Sequence, residues 1–119
     1  MLKIKNKNLY LNRGDAISIQ VACNNANFEI GDSVTFYVMT QNDCEDVLLS
    51  KTVYVTEEKN TVDIQLTSEE TRFIEPFKTG YQTFWYEIEY NGEITLMGYD
   101  SEGPKLFIMY PEATERGSI

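Results

Sequence analysis

Apolar and polar residues alternate most regularly over residues 80–100, GYQTFWYEIEYNGEITLMGYD, where Phe84, Tyr86 and Ile88 share one parity and Thr83, Trp85, Glu87 and Glu89 the other. A period of two is that of a strand with one face buried. Asn91-Gly92 supplies the positive φ of a tight reversal, so Ile94, Leu96 and Gly98 are expected to return antiparallel. A two-residue loop would set Glu89 against Ile94 and Glu87 against Leu96. A three-residue loop of Tyr90, Asn91 and Gly92, with Gly92 in a left-handed bulge, instead pairs Ile88 with Ile94, Tyr86 with Leu96 and Phe84 with Gly98. The second register brings Glu89 opposite Glu93, at a cost of roughly a few tenths of a kcal/mol, against roughly 1.5 kcal/mol for each misplaced Ile or Leu. Burial therefore selects it.

The same register lines the other face with Thr83, Trp85, Met97 and Tyr99, with Tyr81 at its end. Two readings apply. A loop, a terminus or a second small sheet covers the strip, as happens where a sandwich buries part of both faces. Alternatively it is a partner surface, since Trp, Tyr and Met exposed together are the usual anchors of a contact patch.

Elsewhere the same period recurs in short runs. Leu2 and Ile4, then Leu9 and Leu11, predict an edge strand broken or bent near residues 6–8. Arg13-Gly14-Asp15 matches the integrin-binding tripeptide, but three residues are weak evidence, and Gly14 with the Asp15 carboxylate reads as a turn. Ile17, Ile19 and Val21 form a strand with one wet face. Phe28 and Ile30 lead into a Gly31-Asp32 turn, after which Val34, Phe36 and Val38 face inward and Thr35, Tyr37 and Met39 outward. Residues 41–46, QNDCED, read as an acidic hairpin loop whose spacing fits no calcium loop. The return strand, residues 47–55, is interrupted by Lys51, a device of edge strands. After a strand carrying Val62, Ile64 and Leu66, Thr67 and Glu70 form a capping box that predicts one helical turn over residues 67–72. The last strand runs over residues 105–110 and stops at Pro111.

Seven to nine short strands, turn signals between them and one short helical turn predict an all-β, two-sheet antiparallel sandwich. At 119 residues the chain is expected to be a single domain over residues 1–110, followed by a flexible C-terminal tail over residues 111–119.

Composition narrows the function. A net charge of −9 argues against nucleic acid and anionic membranes. No apolar run has the length of a membrane span or a signal peptide, so synthesis in the cytoplasm is expected. Cys23 and Cys44 lie beside turns, where a reducing compartment keeps them as free thiols, although a bridge stays open. The chain has no histidine, which removes Ser-His-Asp triads, Cys-His dyads and the usual zinc sites. Glu87 and Glu89, two apart on a strand and so about 7 Å apart, are the one carboxylate pair to weigh for glycoside hydrolysis. They lie on an outward face where nothing is expected to raise one pKa relative to the other. No glycine-rich loop precedes a helix. The chain therefore reads as a binding or structural module with no catalytic residue, no metal and no cofactor.

Several motifs, taken in order, resemble a known family. They are Arg13-Gly14-Asp15; Phe28-x-Ile30-Gly31-Asp32-x-Val34-x-Phe36; Val47-Leu48-Leu49 with Lys51; Ile64-x-Leu66 leading to Glu70-Thr71; Gly80-Tyr81 followed by Phe84-x-Tyr86-Glu87-Ile88; and Phe107-x-Met109 followed by Pro111-Glu112-x-Thr114. This order is similar to that of small tail-associated proteins of prophages in Gram-positive bacteria, and to the N-terminal immunoglobulin-like domain of phage baseplate upper proteins. Ala16 departs from the Thr that the family places after Arg-Gly-Asp. The resemblance implies an immunoglobulin-like sandwich, a virion component that docks on other tail or baseplate proteins, and self-association among its modes of contact. A carbohydrate-binding sandwich using Tyr81, Trp85 and Tyr99 as a stacking platform is the competing expectation.

Overall fold

The computed structural model of the chain describes residues 2–23, 25–41 and 43–112, with the side chains of residues 43–45 set aside. The acidic-loop carboxylates of Asp43 and Glu45, the thiol of Cys44, and tail residues 113–119 thus lie outside the described residues.

The described chain is all-β. Its strands are β1 (Lys3–Lys5), β2 (Asn8–Asn12), β3 (Ile17–Ala22), β4 (Ser33–Thr40), β5 (Asp43–Tyr54), β6 (Thr61–Leu66), β7 (Gln82–Tyr90), β8 (Ile94–Met97) and β9 (Lys105–Tyr110), with one short 3-10 turn at Glu70–Arg72. The larger sheet has the order β1-β2-β9-β7-β4-β5, and β8 adds to β7; β3 and β6 form a separate two-stranded sheet. One apolar core is shared by both sheets. Leu9, Leu11, Val34, Phe36, Val38, Phe84, Tyr86, Ile88, Phe107 and Met109 supply it from the larger sheet, and Ile17, Ile19, Val21, Val62, Ile64 and Leu66 from the smaller. Every one of these positions follows the period of two along its strand, which is why burial is the main term holding the two sheets together.

Three strand-level expectations are corrected. The larger sheet is mixed rather than purely antiparallel, because β2 and β9 run parallel, with Leu9 beside Phe107 and Leu11 beside Met109. Four apolar side chains at neighbouring positions thereby join the two ends of the chain. The first strand is broken where expected, but by a full reversal into a hairpin rather than within one edge strand: Asn6 (φ 52°) and Lys7 (φ 66°) form the two-residue turn between β1 and β2. The acidic loop is shorter than expected, since β5 already begins at Asp43.

The fourth correction concerns the central hairpin. Tyr90, not Ile88, is paired with Ile94, Glu89 faces Thr95, and Ile88 faces Met97 across a bulge. Two constraints from outside the hairpin displace the expected register. Tyr90 is held in the strand by pairing with Val34, by ring packing on Phe28 and by donating its hydroxyl to Asp32 Oδ2 at 2.6 Å. The edge of β7 that was to receive Leu96 and Gly98 is taken by β9 instead, which sets Phe84 beside Phe107 and Tyr86 beside Lys105. The short β8 is left with only the far end of β7, and Ile94 and Leu96 are exposed at 54% and 38%.

Other expectations hold. Phe84, Tyr86 and Ile88 are buried. Thr67 and Glu70 bond reciprocally, Thr67 N donating to Glu70 Oε1 at 2.9 Å and Glu70 N to Thr67 Oγ1 at 3.1 Å, although the helical turn itself spans only Glu70–Arg72 rather than residues 67–72. β5 is a sheet edge, and its Lys51 pairs with buried Phe36, so the ammonium sits on the core side of that edge, bonded to Glu70 at 3.0 Å.

Candidate binding face

The outward parity of the larger sheet is set by its register. Thr83 lies beside Ile108, Ile108 beside Tyr10, and Tyr10 beside Lys3, a row that crosses four strands. One row on, Trp85 lies between Met39 of β4 and Leu106 of β9. Tyr110 follows along β9, its ring 6.2 Å from that of Tyr81, and Tyr99 packs edge-on against Trp85 at 6.0 Å. Met39 and Ile108 are buried, Thr83, Trp85 and Leu106 are half-buried, and Tyr81 and Tyr99 are exposed.

Of the five residues expected on this strip, the fold brings four together: Tyr81, Thr83, Trp85 and Tyr99. Met97 is not among them. The bulge opposite Ile88 turns it to the inner side, where it packs against the core. Met39, Leu106, Ile108, Tyr110 and Tyr10 complete the surface instead. Their parity was readable along each strand, but their membership depended on β9 lying next to β7 and on β2 lying next to β9.

Acid and base sit at opposite ends of this face. Glu87 and Glu89 follow Trp85 along β7, beside Tyr37 and Thr35 of β4. Lys3 and Lys5 are exposed on β1. The expectation that nothing raises a carboxyl on this face is corrected at Glu87. Partial burial, then a hydrogen bond and the negative charge of Glu89, push the Glu87 carboxyl above its ordinary range. The Tyr37 phenol is likewise raised, by burial and by its hydrogen bond to Glu89. The pair lies on a sheet face rather than in a cleft.

The Arg-Gly-Asp tripeptide is a turn, as expected, and a buried one: Arg13 and Asp15 are 9% and 8% exposed. Asp15 N bonds to Asn12 O, with Gly14 at φ 85° in the third position, the pattern of a type II turn. Arg13 Nε donates to Ile74 O at 2.9 Å and its Nη1 to Glu112, while Thr71 Oγ1 donates to Asp15 O at 2.8 Å. These groups are committed to holding the 3-10 turn and the residues after β9, which is a structural role. Cys23 is a half-buried free thiol.

Searches against protein-family models, curated proteins and solved structures find no match to this chain. The functional reading therefore rests on the face itself and on the motif order in the sequence.

Proposed function

We propose that the protein is a non-catalytic binding module with an immunoglobulin-like sandwich fold, a phage or prophage tail or baseplate component that docks on neighbouring tail proteins through the outer face of its larger sheet. The observation that carries the docking reading is the tract of half-buried Trp85 and Leu106 with exposed Tyr81, Tyr99 and Tyr110, set around buried Met39 and Ile108, with Lys3 and Lys5 at one end and Glu87 and Glu89 at the other. An apolar centre with a charged rim is the anatomy of a protein contact. The motif order supplies the class of partner and the virion as its place of work.

The ring geometry favours a protein partner over a sugar. A stacking platform needs aromatic faces presented in one plane. Here Tyr99 meets Trp85 at 73° and Tyr110 meets Tyr81 at 59°.

The test is to titrate the purified protein with the products of the genes that flank its own and with phage tail and baseplate proteins. Trp85→Ala and Tyr99→Ser, with unchanged circular dichroism, are expected to weaken binding by about tenfold or more. Saturable binding to a glycan array, lost in Trp85→Ala, with no binding to any tail protein, would overturn the proposal.

A further inference from the structure

Charge on the outer face is arranged unlike charge on the rest of the molecule. The chain carries −9, yet on the outward parity of β1, β2, β9, β7 and β4 the charged residues are Lys3, Lys5, Glu87 and Glu89, which cancel. They are also separated. Three strand spacings, about 14 Å, divide β1 from β7. Glu87 stands four residues along β7 from Thr83, whose row ends at Lys3. Apolar Leu106, Ile108 and Trp85 lie between the two ends.

A surface with positive charge at one end, negative at the other and an apolar middle is complementary to itself after a half-turn. We infer that the occupant of this face is a second copy of the chain, packed face to face about a two-fold axis that runs parallel to the sheet, outside it and over Leu106, with Lys3 and Lys5 of each copy set against Glu87 and Glu89 of the other. The inference rests on the reading of the outer face as a contact surface and names its partner.

The chemistry at each end fits. Glu87 and Glu89 are neighbouring carboxylates, partly withdrawn from water, that repel one another, and a facing ammonium pair relieves that repulsion. Repulsion between two copies of net charge −9 acts at long range and is screened beyond about 8 Å at physiological salt, so the groups in contact decide the outcome. The approximate extent of the molecule along its two longer axes, 43 and 33 Å, leaves room for an interface of standard size.

Charge exchange tests this. Sedimentation velocity of the full chain up to about 500 µM is expected to show a concentration-dependent dimer. Lys3→Glu with Lys5→Glu, and separately Glu87→Lys with Glu89→Lys, are each expected to weaken it by about tenfold or more, because both sets of contacts become repulsive in each homodimer. An equimolar mixture of the two variants restores dimer, since every contact then joins opposite charges. If the second variant does not fold by circular dichroism, Glu89→Lys alone replaces it. A wild-type chain that stays monomeric, or a mixture that associates no better than its components, overturns the inference. Failure here with binding to a tail protein that Trp85→Ala abolishes leaves the docking reading standing. A dimer insensitive to both charge exchange and Trp85→Ala overturns the dimer geometry and counts against the face as a whole.

Discussion

Glu112 joins Arg13 to Arg72: its Oε1 accepts from Arg13 Nη1 and, at 3.0 Å, from Arg72 Nε, while its Oε2 lies 3.4 Å from Arg72 Nη2. Asn12 Nδ2 donates to Pro111 O at 2.7 Å alongside. Residues 111 and 112, expected to open a flexible tail, thus belong to the folded domain. The hydrogen bonds and charge of the two guanidiniums hold the Glu112 carboxyl below the usual range. A depressed pKa contributes stability above the unfolded value, lost as pH falls through the folded one. A chain ending at Tyr110 is expected to unfold at lower urea than one ending at Glu112, by about 1 kcal/mol after allowance for solvent screening, with the difference fading in acid. Equal midpoints at neutral pH would refute it.

Gly14 sits where the chain turns and Glu112 closes over it. A Cβ there would stand 2.9 Å from Glu112 Cδ and 3.1 Å from Arg72 Nε, at a φ of 85°. Gly14→Ala is expected to destabilise by about 2 kcal/mol, combining left-handed strain with displacement of the carboxylate. Chemical denaturation measures it. A variant as stable as the parent would show that the turn tolerates a side chain.

The raised Glu87 carboxyl predicts the opposite pH behaviour from Glu112. A group whose folded pKa exceeds its unfolded value contributes stability below the unfolded pKa, about 4.3, and loses it as pH rises through the folded value. Glu87→Gln, which keeps the shape without the charge, is therefore expected to raise the melting temperature at pH 7 and to match the parent near pH 4. A melting temperature lowered at pH 7 would contradict this.

Tyr86 donates its hydroxyl to the Lys7 carbonyl inside the β1–β2 turn, and burial pushes the phenol up to about 12. The bond is intact below the unfolded value near 10, and its contribution is lost as pH climbs from there through the folded pKa. Tyr86→Phe is expected to cost about 1 kcal/mol at neutral pH and to remove the latest step from the ultraviolet tyrosinate titration. An unchanged titration would place the late phenol elsewhere.

Lys51 keeps an ammonium on the core side of edge strand β5, paired with Glu70. Lys51→Val is expected to leave the fold intact and to increase concentration-dependent aggregation in light scattering, since an apolar edge is open to pairing with another chain. No change in scattering at matched concentration would assign Lys51 a purely local role.

How much of this was legible in the sequence follows from the range of each interaction. Alternation along a single strand placed Val34, Phe36 and Val38 inside, separated Trp85 from Phe84 and Tyr86, and made Thr67 with Glu70 a cap, because side-chain direction and capping depend on neighbours a few residues away. Which strand lies beside which was beyond its reach. Leu9 beside Phe107 is a parallel contact across the whole chain, and it was β9 occupying the edge of β7 that denied Leu96 and Gly98 their expected partners. The outer face of the larger sheet shows both parts at once. Trp85, Tyr81, Thr83 and Tyr99 could be named from the alternation along residues 81–99, whereas the loss of Met97 to the core and the gain of Leu106, Ile108 and Tyr10 were decided by a bulge and by strand order, which only the competition among all edges for hydrogen-bonding partners determines.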